Sequence, residues 1–279
     1  MSAKKTAIAR LLRCKAFLVD MDGTIYVDEQ ATPGAVEFIA ELRKAGRDLL
    51  FVTNNSSRHR SDYCARLASL GIATSDVDVM TSGDAMTSFL IEQTHHRSAY
   101  VVGTDRLRNT LREGGIDVDA KDPACVVAGF DDELTYEKLR IACSLLMQRR
   151  PFYATHPDRT CITSQGLVPD VAAVIGACEA VTGVRPTVIG KPEAPMVELA
   201  LERLRARAET TAVVGDQLDT DMTMARRHGM LGVLVMTGET TPQRLAACVE
   251  HQRPELIVSG LVELRDMLRG CGTGGTACA

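Results

Sequence analysis

Aromatic residues are scarce in this chain: it has no tryptophan, five tyrosines and six phenylalanines among 279 residues. With a formal net charge of −4 and no basic run interleaved with stacking side chains, it lacks the makings of a nucleic-acid surface. Any anionic ligand must be drawn in by a local site, not by the field of the whole protein. No apolar stretch approaches the roughly 20 residues a membrane span needs, so no membrane partner is expected. The basic start, Met1 to Arg13, has no apolar run long enough for a signal peptide. Cysteine is present nine times (Cys14, Cys64, Cys125, Cys143, Cys161, Cys178, Cys248, Cys271, Cys278), an odd number with no CxxC or other metal-like pair. Most lie in apolar stretches, as reduced core cysteines do, and the expectation is a soluble, cytoplasmic protein. The tail Gly270 to Thr276 has the glycines of a phosphate loop but no lysine and no following helix, and reads as a frayed terminus.

What the chain does have is an apolar strand, Phe17-Leu18-Val19, that ends in Asp20-Met21-Asp22-Gly23-Thr24. Residues two apart in an extended chain share a face, so Asp20 and Asp22 point to the same side just past the strand end. Neighbouring carboxylates repel unless a cation lies between them or one carries a proton, which makes the pair a candidate Mg²⁺ and acid/base site. Thr32-Pro33 then reads as N-cap and first-turn proline of a helix carrying Val36, Ile39 and Leu42, closed by Gly46. The strand Asp48 to Val52 runs into Thr53-Asn54-Asn55-Ser56, and a second helix bears Tyr63, Leu67 and Leu70. A third strand, Val77 to Thr81, leads to a helix over Ala85 to Glu92. Further on, Ala212 to Val214 ends in Gly215-Asp216, and Gly232 to Met236 and Leu256 to Val258 are two more buried-type strands.

Such unalternating Val and Leu runs belong to a parallel sheet covered on both faces. The expected fold is α/β, a doubly wound parallel sheet whose ligand site lies beyond the carboxyl ends of its strands. A second alternation lies in between: strands 99–102, 125–128 and 152–154 with helices 106–113, 135–148 and 172–181. We therefore expect a core formed by residues 1–96 and 186–279, with an inserted α/β domain over residues 97–185.

A carboxylate can attack phosphorus to form an aspartyl-phosphate, provided positive charge compensates the approach of two anions. Mg²⁺ suits that task, because it takes carboxylate and phosphate oxygens while keeping some water. Asp216 is the better direct ligand, and Asp221 acts through water or is simply a carboxylate favoured by a helix N-terminus. Thr53, Asn54 and Asn55 offer a hydroxyl, amides and main-chain N–H groups for phosphoryl oxygens. Taken alone they read as a helix cap, with Ser56 or Ser57 in that role. Lys191, in Ile189-Gly190-Lys191-Pro192, stands between a strand and a proline expected to start a helix, where it can neutralise nucleophile and phosphoryl charge.

Asp20-Met21-Asp22-Gly23-Thr24, Thr53-Asn54-Asn55, Gly190-Lys191-Pro192 and Gly215-Asp216 with Asp221 occur in the order of the four motifs of the haloacid dehalogenase (HAD) superfamily, which the chain resembles over nearly its whole length. The insertion resembles the C2-type cap of the NagD / p-nitrophenyl phosphatase branch, and Ala154-Thr155-His156-Pro157-Asp158 is similar to that branch's cap loop, except that His156 stands where many relatives carry Asn. The resemblance implies a HAD-like Rossmannoid core with a cap. It implies Asp20 as nucleophile and Asp22 as the acid, then base. It also implies Mg²⁺ held by Asp20, the main-chain carbonyl of Asp22, and Asp216. His156 itself reads as a turn residue before Pro157.

The expected activity is a Mg²⁺-dependent phosphatase for small-molecule phosphate esters such as sugar, polyol, nucleotide or pyridoxal phosphates, and p-nitrophenyl phosphate in vitro. A phosphotransferase or mutase using the same aspartyl-phosphate is the nearest alternative, and a receiver-like phosphoacceptor module is another. Dehalogenation needs neither a leaving-group acid nor Mg²⁺. A catalytically dead binding protein would lack one of Asp20, Asp22, Lys191 or Asp216, and all four are present. Pairing of two copies through the cap is an expectation by analogy with relatives.

Overall fold

The computed structural model describes residues 3–163 and 166–270. The expected frayed tail falls almost wholly outside these residues. In chain order the elements begin with α1 (Ala3–Arg13), β1 (Ala16–Val19), the hairpin strands β2 (Tyr26–Val27) and β3 (Gln30–Ala31), α2 (Ala35–Lys44), β4 (Asp48–Thr53), α3 (Arg60–Ser69), β5 (Val79–Thr81) and α4 (Ser82–Ser88). They continue with β6 (Ala99–Val102), α5 (Asp105–Glu113), β7 (Cys125–Ala128), α6 (Tyr136–Met147), β8 (Phe152–Ala154), β9 (Thr160–Thr163), β10 (Gly166–Pro169), α7 (Val171–Thr182) and β11 (Thr187–Val188). The last are α8 (Ala194–Arg203), β12 (Thr211–Gly215), α9 (Thr223–Arg227), β13 (Leu231–Val235), α10 (Pro242–Ala246), β14 (Leu256–Val258) and α11 (Leu261–Leu268).

The chain divides into two compact units, one of residues 1–52, 64–79 and 200–279, the other of residues 53–63 and 80–199. The six-stranded sheet, with order β14-β13-β12-β1-β4-β5, belongs almost entirely to the first. β1 lies inside it, parallel to β12 on one side and β4 on the other, with Val19 opposite both Val214 and Phe51. Strand order runs outward from β1 in both directions. The carboxyl ends of β1 and β12 therefore flank the switch point at which open α/β sheets hold ligands. Phe17, Leu18, Leu50, Phe51, Val213 and Val214 are fully buried, as a sheet covered on both faces requires. Phe17 meets Phe38 of α2 edge to face at 6.4 Å between ring centroids.

Helix α2 starts later than the sequence suggests. Gly34, with φ +83°, is its N-cap, and the Thr32 hydroxyl instead donates to the carbonyls of Thr24 (2.7 Å) and Ile25 (3.2 Å). Thr32 thus closes the loop that follows β1 rather than capping a helix. Ser56 and Ser57 likewise cap nothing: Ser57 donates through N and Oγ to Asn55 Oδ1, while His59 N donates to Asp62 at the start of α3.

The second unit carries a parallel four-stranded sheet of order β11-β8-β7-β6. Its core gathers Val126, Ala128, Leu146, Phe152, Val174 and Cys178. Thr104, Thr135 and Asp170 accept hydrogen bonds from the first turns of α5, α6 and α7, so each helix begins at a side chain able to satisfy an open N–H. Strand β11 lies just beyond the expected 97–185 segment, and the antiparallel pair β9 and β10 had no counterpart in the sequence reading. The seven cysteines within the described residues are all free thiols. Burial pushes Cys14 up to about 11 and Cys125 up to about 12, so both are protonated at neutral pH.

Candidate active site

In the first unit, the segment after β1 is held by its own main chain. Asp20 N extends the ladder to Val214 O at 2.9 Å. The N–H groups of Thr24, Ile25 and Tyr26 all converge on the carbonyl of Met21, at 3.2, 2.8 and 3.2 Å. Such a tight reversal needs a residue with positive φ, and Gly23 supplies it at +79°. Asp20 is consequently buried at the strand end, whereas Asp22 is exposed and accepts from the Tyr26 hydroxyl at 3.3 Å.

Asp216 follows β12 directly and is seated by the loop after β13. Its Oδ2 accepts from Glu239 N at 2.6 Å and its carbonyl accepts from the Thr240 hydroxyl at 2.5 Å. A Cβ at Gly238 or Gly23 would run into the Asp216 carboxylate, and one at Gly215 into that of Asp221. These glycines leave the space in which the carboxylates stand. Asp221 lies in a single wide turn, Leu218–Met222, ahead of α9 rather than in the helix itself, and accepts from Gln217 N at 3.2 Å.

Asp20, Asp216 and Asp221 bring a carboxylate oxygen each within 4.8 Å of one another, and all three are buried. Ionised carboxylates at that spacing repel one another unless positive charge offsets them. A group of hard oxygen donors in this arrangement fits Mg²⁺, which favours carboxylates completed by water. The side chain of Asp22 is not part of the group.

In the second unit, Asn54 links two further segments. Its Nδ2 donates to the Asp158 carboxylate (3.3 and 3.5 Å) and to the carbonyl of Lys191 (3.0 Å). Both amide hydrogens are thereby directed at protein acceptors, leaving the main-chain N–H as this residue's donor toward a ligand. Asn55 Oδ1 serves the turn to Ser57, and its N–H donates to the Thr53 hydroxyl at 3.1 Å. Lys191 is 3% exposed. Its neighbour Gly190 donates to Thr155 O at 2.8 Å, and a Cβ there would collide with that same carbonyl and with Asn54 Oδ1. The Lys191–Pro192 peptide is cis, and α8 starts two residues further on at Ala194, so Pro192 precedes the helix instead of opening it.

His156, read from the sequence as a turn residue, lies outside any turn and is buried. It is 1% exposed, with Nδ1 3.3 Å from Asp158 and Nε2 3.8 Å from Asp170. Sequence reasoning passed over Asp170, which stands at the start of the Val- and Ala-rich α7, a position typical of any N-cap carboxylate. It also missed the loop at Gly238 and Glu239, which bears no signature beyond a glycine.

The sheet order and the carboxylates at its switch point define a doubly wound α/β protein with a strand-end acidic centre, and comparison with known proteins gives the family. A haloacid dehalogenase-like hydrolase model matches residues 17–117 and a HAD-hydrolase-like model matches residues 188–264. The chain is 32% identical over 249 residues to the 5'-nucleotidase YutF of Bacillus subtilis, covering 89% of this chain and 96% of that one. A crystal structure of 4-nitrophenylphosphatase from Thermotoga maritima superposes with a TM-score of 0.89 at 35% identity, covering 93% and 99% of the two chains. The glycerol phosphate phosphatase of Mycobacterium tuberculosis, solved in complex with magnesium, gives 0.83 at 30% identity, covering 91% and 77%. The chain belongs to the haloacid dehalogenase-like hydrolase family.

Proposed function

We propose that this protein is a Mg²⁺-dependent phosphatase that hydrolyses small-molecule phosphomonoesters through an aspartyl-phosphate. The observation that carries this reading is the buried trio Asp20, Asp216 and Asp221 beyond the carboxyl ends of β1 and β12. Asp20, held at the strand end, is the nucleophile toward phosphorus. Asp22, exposed and two residues on, donates a proton to the leaving oxygen and then takes one from water, a transfer worth roughly 10²–10⁴-fold. Asp20, Asp216, Asp221 and the main chain at Asp22 would hold Mg²⁺, whose charge would offset that of the phosphoryl oxygens. Thr53 through its hydroxyl, Asn54 through its main-chain N–H, Asn55 through its side-chain amide nitrogen, and Lys191 through its ammonium bind phosphoryl oxygens.

The segment 97–185 acts as a cap that restricts substrates to small esters of the sugar, polyol, nucleotide or pyridoxal type. The names of the relatives, a nucleotidase, a 4-nitrophenylphosphatase and a glycerol phosphate phosphatase, support the class while differing in substrate. Two copies pair through this segment by analogy with relatives, which light scattering checks. Free thiols at the seven described cysteines favour a reducing, cytoplasmic setting. Among the described residues no helix is long and apolar enough to cross a membrane.

Phosphate release across a panel of such esters, with Mg²⁺ and with EDTA, tests the reading. Asp20→Asn should lower turnover by more than about a thousandfold. Release that persists in that variant, or phosphoryl transfer to an organic acceptor without free phosphate, would count against it.

A further inference from the structure

We propose that His156 is an imidazolium that positions the Asn54 amide and, through it, the main chain at Lys191. The ring is buried, and its two nitrogens face different carboxylates, Asp158 at 3.3 Å and Asp170 at 3.8 Å. An ionised carboxylate only accepts hydrogen bonds, while a neutral imidazole has one N–H and one lone pair. A neutral ring would therefore set a lone pair against one of these anions. Neither ring nitrogen completes a hydrogen bond at these distances, so what the imidazolium offers the two carboxylates is the attraction of a buried ion pair.

Asp158 is held low, as an anion, whereas burial raises Asp170 above its ordinary value against the pull of His156 and the Val171 N–H. Asp170 Oδ1 accepts from Val171 N at 2.7 Å at the start of the twelve-residue helix α7, where the backbone favours negative charge. Asp158 accepts from Asn54 Nδ2, and that nitrogen also donates to the Lys191 carbonyl at 3.0 Å. The order of contacts is Asp170, His156, Asp158, Asn54 and the carbonyl of Lys191. Every member belongs to the second unit. One ring nitrogen and one oxygen of each carboxylate lie within 4.8 Å of one another, so two carboxylates share this spacing and the ring proton supplies the compensating positive charge.

The charged groups acting on the ring are Asp158, Asp170 and Lys191. Burial opposes the proton and Lys191 repels it, but Asp158 and Asp170 outweigh both and hold the imidazole above its ordinary value. Burial works against ionised Asp158 as well. His156, Asn54 and Lys191 overcome that and hold it below the usual carboxylate range. When the ring loses its proton, Asp158 loses the partner that keeps it facing Asn54, and the amide is no longer fixed between two acceptors. His156 touches no reacting atom in this scheme, so its effect reaches catalysis only through Asn54 and Lys191.

Two measurements on the full chain test this. The first is ¹⁵N histidine NMR of the wild-type protein, in which a doubly protonated His156 ring near pH 7 supports the proposal and a neutral tautomer overturns it. This arm is independent of any enzymatic activity. The second rests on the phosphatase reading and compares kcat/KM of wild type with His156→Gln and Asp158→Asn across pH, with p-nitrophenyl phosphate as probe. The deficit should be about tenfold near pH 6.5, carried mainly by KM, and should shrink toward unity as the wild-type ring deprotonates. A deficit that stays constant with pH would overturn the positioning role and leave His156 as packing alone. If no ester is hydrolysed the phosphatase reading fails, and the NMR result still decides the protonation state.

Discussion

The Tyr26 hydroxyl donates to a carboxylate oxygen of Asp22 at 3.3 Å, and the guanidinium of Arg66 lies 3.9 Å over the same tyrosine ring. Tyr26 is fully buried, so the exposed carboxylate is steadied by a side chain that cannot itself swing into solvent. Tyr26→Phe keeps the ring and its cation–π contact while deleting the hydrogen bond. The expected loss is about 1 kcal/mol, or roughly fivefold in kcat, with KM little changed. Steady-state kinetics on any accepted ester checks this, and an unchanged kcat would mean that Asp22 finds its working position without Tyr26.

The buried trio makes an opposite prediction for stability and for metal binding. Replacing Asp221 by Asn removes one of three mutually repelling charges but keeps an oxygen to accept from Gln217 N. In EDTA the variant should melt a few degrees above wild type, about 1 kcal/mol more stable. With excess Mg²⁺ the order should reverse, because the wild-type protein gains more from binding. Thermal melts with and without metal distinguish this from a variant that is merely damaged.

Gly238→Ala tests the space left for Asp216. A methyl group there would meet the carboxylate, so the side chain must turn or the loop must open. Mg²⁺ affinity should fall by about tenfold or more, with a modest cost to the fold of about 1–2 kcal/mol. Isothermal titration with Mg²⁺ alone measures it without reference to substrate.

The His156 contacts also carry a pH dependence of stability. Its value in the folded state lies above the unfolded value of 6.5. The stabilisation is therefore fully present below 6.5 and is lost as pH rises through the raised folded value. Asp158 behaves in the opposite sense: its value is lowered from 3.8, so its contribution is present above 3.8 and is lost as pH falls through the depressed one. Denaturant titration of wild type and His156→Gln should give a gap that is fully open below pH 6.5 and narrows as pH rises through the raised folded value. A gap that widens with pH would have the wrong sign.

Strands 99–102, 125–128, 152–154 and 256–258 coincide with those read from the sequence, because runs such as Tyr100-Val101-Val102 and Cys125-Val126-Val127 have no other way to bury both faces. Element starts were less legible. Thr32-Pro33 has the chemistry of a helix N-terminus, yet the Thr32 hydroxyl is drawn to the carbonyls of Thr24 and Ile25, which only the tertiary path of the loop brings within reach. Asp20 and Asp216 could be singled out because strand-end carboxylates have a local pattern. The engagement of Asn54 with Asp158 and Lys191 could not, since it joins residues 104 and 137 positions away. The role of Asp170 was hidden for the same reason, its partner being fourteen positions earlier across the β9 and β10 hairpin.

Three buried carboxylates within 4.8 Å of one another also bear on how much of this protein a cell retains. Their repulsion lowers the barrier to opening whenever the cation is scarce, and an opened chain is exposed to proteases. Magnesium supply should then set the protein's half-life and abundance as well as its rate, so that starvation for the ion removes the enzyme along with its activity.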